Sequence, residues 1–198
     1  MSRTKLTEDR LRRWYRLLEP ALTDFDCGQL CAPDNDGVPA CCDEEWTIPL
    51  LFKEEYKYHR KRSRFWRRYP RRTPEQRAEA NDFDSWHDWA CLCPGPAKCE
   101  RDKRALVCRL YPMMPFVTGR GLVLGLTFLH GEAKKCPLID RPGWAPPQDY
   151  VRGSLQYWDE VFEMFPEERK VFVDLSRKAR RRYRRLGLPV PLFTGEDG

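Results

Sequence analysis

A chain of 198 residues, 41% apolar and 33% charged, has enough material for one substantial core under a very polar surface and too little for two full domains. Seven tryptophans and an aromatic fraction of 13% exclude an intrinsically disordered chain. The net charge of +6 is unevenly spread: residues 57–72 carry nine Lys/Arg and no acid, and residues 177–185 carry seven and no acid. These sixteen cations exceed the net charge, so the remainder of the chain is acidic, at −10.

Taken in chain order, Leu11, Trp14, Tyr15 and Leu18 recur at helical spacing behind Thr7, and Pro20 stops the run, which predicts a short amphipathic helix over 7–19. A cysteine-rich loop follows from Cys27 to Cys42. Thr47-Ile48-Pro49 reads as a helix start, with proline in the first turn, and the helix is expected to run into the basic stretch near Arg62. Thr73-Pro74-Glu75-Gln76 is a capping box that predicts another helix ending near Asn81. The second cysteine region, Cys91 to Cys108, contains Pro94, Gly95 and Pro96 and reads mostly as loop. Met114 to Val117 and Leu122 to Phe128, around Gly119-Arg120-Gly121, predict a β-hairpin. A proline-rich linker, residues 141–147, leads to two helical stripes. One comprises Leu155, Trp158, Phe162 and Phe165 behind Ser154 as N-cap; the other comprises Val171, Leu175, Ala179, Tyr183 and Leu186, closed by Gly187. The expected fold is α+β: a small domain with helices around a short hairpin or sheet, metal-stapled cysteine-rich loops and a helical C-terminus. Residues 1–140 read as the cysteine-rich metal-binding part, and 141–198 as linker and helical extension packed on it.

The first segment has no apolar h-region, and the longest apolar stretch, around Leu122 to Leu129, is too short for a bilayer, so a cytoplasmic protein without membrane contact is expected. Thiols stay reduced in that compartment, and nine cysteines then point to metal rather than to disulfides. The candidate ligands are Cys27, Cys31, Cys41 and Cys42 in one group, Cys91, Cys93, Cys99 and Cys108 in a second, and Cys136 alone. Thiolates suit zinc, copper(I) and iron–sulfur clusters, and four of them complete one tetrahedral zinc or one cubane. Neither group has the C-x2-C knuckle of structural zinc. Cys93-Pro94 and Cys136-Pro137 tilt the reading slightly towards an iron–sulfur cluster. Of the three histidines, His87 lies near enough to Cys91 to be weighed as a ligand against an ordinary hydrogen-bonded role, and His59 reads as solvated in its basic run.

The elements DFDCGQLC and ACCDEEW, followed by Cys108-Arg109-Leu110-Tyr111-Pro112, resemble the CxxCxxCC (YkgJ-like) family of zinc- or iron-chelating proteins over roughly residues 24 to 137. The family opens with C-x2-C-x2-CC and carries eight cysteines. This chain instead has x3 between Cys27 and Cys31, nine residues before Cys41, and Ala105-Leu106-Val107 where Arg-Pro is usual. Either Cys91 or Cys93 matches the family's cysteine at that point. The resemblance implies a thiolate-bound metal. Arg109 then either supports the thiolates from behind or pairs with a carboxylate.

Three functional readings follow. The leading one is a non-catalytic metal-binding protein holding zinc or an iron–sulfur cluster, with a protein partner. By resemblance to distant relatives, the flagellin lysine N-methylases, a protein-modifying enzyme is the second, although no dinucleotide or phosphate loop is present. The third is a nucleic-acid-binding protein with a structural metal, gripping phosphates through residues 57–72 and 177–185. In the first of these runs Phe65, Trp66 and Tyr69 interleave with arginines.

Overall fold

In the computed structural model, which describes residues 5–43, 48–129, 136–139 and 141–195, the first helix is α1 (Glu8–Leu17). Thr7 caps it by accepting from Arg10 N, and Leu11, Trp14 and Leu18 are fully buried, as their spacing predicts. Trp14 carries most of that face. Its ring lies 5.4 Å from Phe52 and 5.2 Å from Tyr157, and its Nε1 donates to Glu160 at 3.0 Å. Truncating such a residue costs about 3–5 kcal/mol.

The middle of the chain holds a sheet that the sequence did not announce. Strands β1 (Leu50–Phe52), β2 (Arg67–Arg68) and β3 (Asp88–Leu92) form an antiparallel sheet in the order β1-β3-β2. The helix start expected at residues 47–49 is displaced. Thr47 lies outside the described residues, Pro49 leads into β1, and helix α3 (Lys53–Arg62) begins only after the strand. The Glu55 carboxylate caps α3 by accepting from Phe52 N at 3.3 Å. Helix α4 (Pro74–Phe83) has the expected capping box, Thr73 with Gln76, and runs two residues beyond the expected end. The second cysteine region is less loop-like than expected: Cys91 sits in β3 and Cys108 in the short helix α5 (Leu106–Leu110).

The hairpin forms as expected from β4 (Met113–Val117) and β5 (Val123–Phe128), with a bulge between Phe116 and Val117. Phe193 bridges to Leu126 on the far edge of β5, close enough that only a glycine, Gly125, fits beside its carbonyl. The two long helices are α6 (Gln148–Met164) and α7 (Pro166–Leu186). Ser154 is not an N-cap but a buried mid-helix residue, because α6 starts a turn and a half earlier, behind Pro147. The stripe of α7 holds in part: Ala179 and Tyr183 are buried as expected and Leu175 is half-buried, but its two ends are not covered. Val171 and Leu186 are exposed, while Ser176, Ala179 and Tyr183 are buried against β4. Small residues win there because Ser176 Oγ must reach Val117 N, at 2.8 Å.

The result is an α+β fold with a main core of α1, the hairpin and α6, and a smaller apolar cluster of Leu51, Phe65, Trp66, Cys91 and Ala105 under the sheet. Cys93, Cys99 and Cys108 pack on that smaller cluster. No helix among the described residues is long and apolar enough to cross a membrane.

Candidate metal centre

All nine cysteines are free thiols. The short helix α2 (Gly28–Cys31) brings Cys27, at its cap position, and Cys31, at its end, within one turn. The residues between Cys31 and the doublet form a closed loop: Gly37 N donates to Ala32 O at 2.8 Å, and Ala40 N reaches Cys31 Sγ at 3.4 Å. Pro39 folds onto Gly28 so closely that a β-carbon there would stand 3.0 Å from its ring. The long separation in sequence therefore costs nothing in space. Cys41 and Cys42 emerge from a 3-10 turn beside Cys31, with their sulfurs 3.9 Å apart.

The thiols feel one another's charge. Burial, then Cys27, Cys41 and Cys31 push the Cys136 thiol up to about 11. Cys27 is raised by burial and then by Cys41 and Cys31. Burial raises Cys108 well above the ordinary thiol range, helped by Cys41, Cys93 and Cys99. Cys42 is raised by its hydrogen bond with Cys41, by burial, and by the charges of Cys41, Cys108 and Cys99. Cys41, the hub of both halves, is drawn down to about 7 by the hydrogen bond with Cys42 and by the Arg104 charge. Cys27, Cys108 and Cys136 thus lie in the field of Cys41, and Cys99 in that of Cys42, while Cys31 acts on Cys27 and Cys136 and Cys93 on Cys108.

Cys91 stands apart from them. It has no exposed surface, sits in the apolar cluster under β3, and burial pushes it up to about 12. The charges acting on it are those of Arg68, Glu55 and Asp84, not those of other thiols. Cys93, two residues on, is only half-buried at the margin of that cluster, as Cys99 and Cys108 are, and its charge acts on Cys108. Of the two cysteines left open by the resemblance, Cys93 is the one on the thiol side.

Arg109 is buried and faces away from the sulfurs in its hydrogen bonding. Its guanidinium donates to Glu19 at 2.9 Å, to Leu18 O at 3.3 Å and to Arg101 O at 3.0 Å, which ties α5 to the end of α1. The cation beside the sulfurs is Arg104, hydrogen-bonded to Cys99 and within the field of Cys41 and Cys42. The sequence reading missed it, because Arg101, Lys103 and Arg104 all stand between Cys99 and Cys108 and nothing local singles out Arg104.

Behind Cys108 lies a buried polar chain that no motif announced. Glu55 accepts from Tyr15 Oη at 2.7 Å and from Leu106 N at 2.8 Å, and Tyr15 Oη lies 2.7 Å from His59 Nε2. Burial raises Glu55 to about 7, and burial with the Arg109 charge lowers His59 to about 4. His59 is a core residue, not the solvated one expected; it shares the buried face of α3 with Glu55, one turn before it. His130 lies outside the described residues.

His87 keeps company with carboxylates rather than with cysteines. Its Nε2 is 3.1 Å from both Asp88 Oδ2 and Glu168 Oε1, and its ring stacks on Phe165 at 4.6 Å. These three residues form the one group of three ligand-bearing side chains within 4.8 Å of one another among the described residues, so no three cysteine sulfurs approach that closely. In the first basic run, Phe65 and Trp66 are core residues, and Trp66 Nε1 donates to Lys103 O at 2.8 Å. No protein-family model matches the chain, and comparisons with curated proteins and with solved structures likewise gave no match.

Proposed function

We propose that this chain is a metal-binding protein that holds an iron–sulfur cluster, or zinc in its place, through the thiolates of Cys27, Cys31, Cys41, Cys42, Cys93, Cys99, Cys108 and Cys136. The observation that carries the reading is the loop that seats the Cys41–Cys42 doublet, sulfurs 3.9 Å apart, beside Cys31, with Cys27, Cys108 and Cys136 in the field of Cys41, Cys99 in that of Cys42 and Cys93 in that of Cys108. Burial and mutual repulsion hold Cys27, Cys108 and Cys136 protonated, and Arg104 supplies only one compensating charge. A bound cation reverses that balance by deprotonating thiols outright.

The spacing of the sulfurs favours a cluster over zinc. Four thiolates on one zinc stand about 3.8 Å apart, given a Zn–S bond of about 2.3 Å. Cys41 and Cys42, at 3.9 Å, match that edge, but no three sulfurs among the described residues lie within 4.8 Å of one another. Cluster ligands bind different irons and are set wider. The resemblance to the CxxCxxCC family supports the same donor set.

Anaerobic purification followed by iron, sulfide and zinc analysis and a visible spectrum tests the reading. Iron and sulfide in matching amounts with broad visible absorbance are expected. Tightly held zinc in a colourless protein replaces the cluster but keeps the thiolate centre. A folded protein with neither metal overturns the proposal.

A further inference from the structure

The two basic runs, alike in sequence, differ in space. In the first, Lys57 pairs with Glu54, Lys61 and Arg62 with Glu8, and Arg68 and Arg71 with Asp84. The four cations left over, Arg60, Arg64, Arg67 and Arg72, are exposed but spread over α3, two loops and β2. The second run lies on α7, where Arg177 pairs with Asp174 and Arg180 covers the Phe116 ring. Lys178, Arg181, Arg184 and Arg185 are exposed, have no carboxylate partner among the described residues, and together line a depression of about 380 Å³.

Structural needs account for only part of this. Cations in the last helical turn are favoured by the helix dipole, which covers Arg184 and Arg185. Lys178 and Arg181 lie further up the helix, where like charges three and four residues apart repel. The uncompensated face is therefore strained until an anion arrives.

We propose that this face of α7 grips the phosphodiester backbone of a nucleic acid. Lys178, Arg181 and Arg185 follow the i, i+3, i+7 spacing of one helix face, a row about 10 Å long at 1.5 Å per residue, with Arg184 beside it. Three of the four are arginines, whose planar fork suits phosphate oxygens. The depression is lined by these cations alone, so it lacks the aromatic or apolar anchor that dominates protein–protein hot spots. A bilayer is also a poor match. The buried residues of α7 face β4, and the exposed apolar ones, Val171 near its start and Leu186 and Leu188 at its end, are too far apart to form a continuous face to insert. No ring lies among the lining residues to stack a base, so binding is to the backbone and indifferent to sequence.

The test is fluorescence anisotropy of the purified, metal-loaded protein with a labelled DNA duplex of about 20 base pairs, titrated against salt. Four phosphate contacts predict a log–log slope of about −3.6, or about a 150-fold loss of affinity between about 50 and 200 mM salt. The variant K178Q/R181Q/R184Q/R185Q is expected to bind at least about tenfold more weakly and with a flatter slope. The control R60Q/R64Q/R67Q/R72Q removes the same net charge and is expected to bind nearly as well as the parent. Circular dichroism melts establish that both variants fold. Equal losses in the two variants would mean that net charge alone attracts DNA, and would overturn the assignment. Failure of the parent to bind at about 100 µM, or binding to phosphatidylserine vesicles without binding to duplex, would overturn it as well.

Discussion

The backbone carbonyl of Leu17 occupies the space that a β-carbon on Gly153 would need. The end of α1 is thereby pressed directly onto the middle of α6, and Arg13 and Trp14 clamp the same crossing through Glu160. A helix-interior glycine is otherwise unfavourable by about 1 kcal/mol relative to alanine. Here G153A is expected to destabilise the fold by about 1–3 kcal/mol despite that gain, because the two helices must separate. Urea unfolding checks this, and an unchanged or raised midpoint refutes it.

Cys91 and Cys93 are two residues apart and are predicted to behave oppositely. C91A empties a small apolar site and should cost about 1–2 kcal/mol while leaving the metal content per chain unchanged. C93S should lower the metal content and leave the apolar cluster under the sheet intact. Metal analysis of the two purified variants decides it; equal metal loss in both would place Cys91 among the ligands.

Glu55 is fully buried and joins α1, α3 and α5 through Tyr15, Phe52 N and Leu106 N. E55A orphans these donors and should cost roughly 2–4 kcal/mol, whereas E55Q keeps an acceptor in place and should cost less. The folded carboxyl titrates at about 7 against an ordinary 4.5, so the native state holds a proton that the unfolded chain has released. Stability is therefore expected to fall as pH rises from 4.5 to 7, and E55Q should flatten that segment of the stability–pH curve. His59, lowered to about 4 from 6.5, slopes the other way between those values and remains in both proteins.

His87 links β3 to the first turn of α7. Burial opposes its charge, but the Glu168 hydrogen bond and the charges of Asp88, Glu168 and Glu167 outweigh burial and raise its pKa above the ordinary 6.5. Its contribution to stability is complete below 6.5 and is lost as pH rises through the folded value. E168Q should reduce that loss, and the imidazole resonance should titrate at lower pH in the variant. An unshifted resonance on removing Glu168 would refute the pairing.

What the sequence disclosed was local. Thr7, the Thr73–Gln76 box, the hairpin turn and Gly187 act within a few residues, so α1, α4, the hairpin and the end of α7 could be read directly. The sheet of β1, β2 and β3 could not, because strands of three, two and five residues are too short to show alternation. On α7 Ala179 and Tyr183 were legible, but Val171 and Leu186 were not buried as their hydrophobicity suggested, and Ser176, a polar residue chosen by its bond to β4, was missed. The cysteines were legible as a donor set, but their convergence depends on the loop closing Ala40 onto Cys31. Glu55 and His59 carry no motif; only burial reveals them.

The hydrogen bond from Val117 N to Ser176 Oγ sits at the bulge of β4, where the hairpin ladder slips. It works as a key in a slot. Turning α7 by one residue about its own axis would leave a buried amide without an acceptor, at a cost of about 1–3 kcal/mol. At 3.6 residues per turn, Lys178, Arg181 and Arg185 lie about 140–200° around the helix from Ser176. One serine hydroxyl, facing inward, thus fixes the azimuth at which three cations face outward.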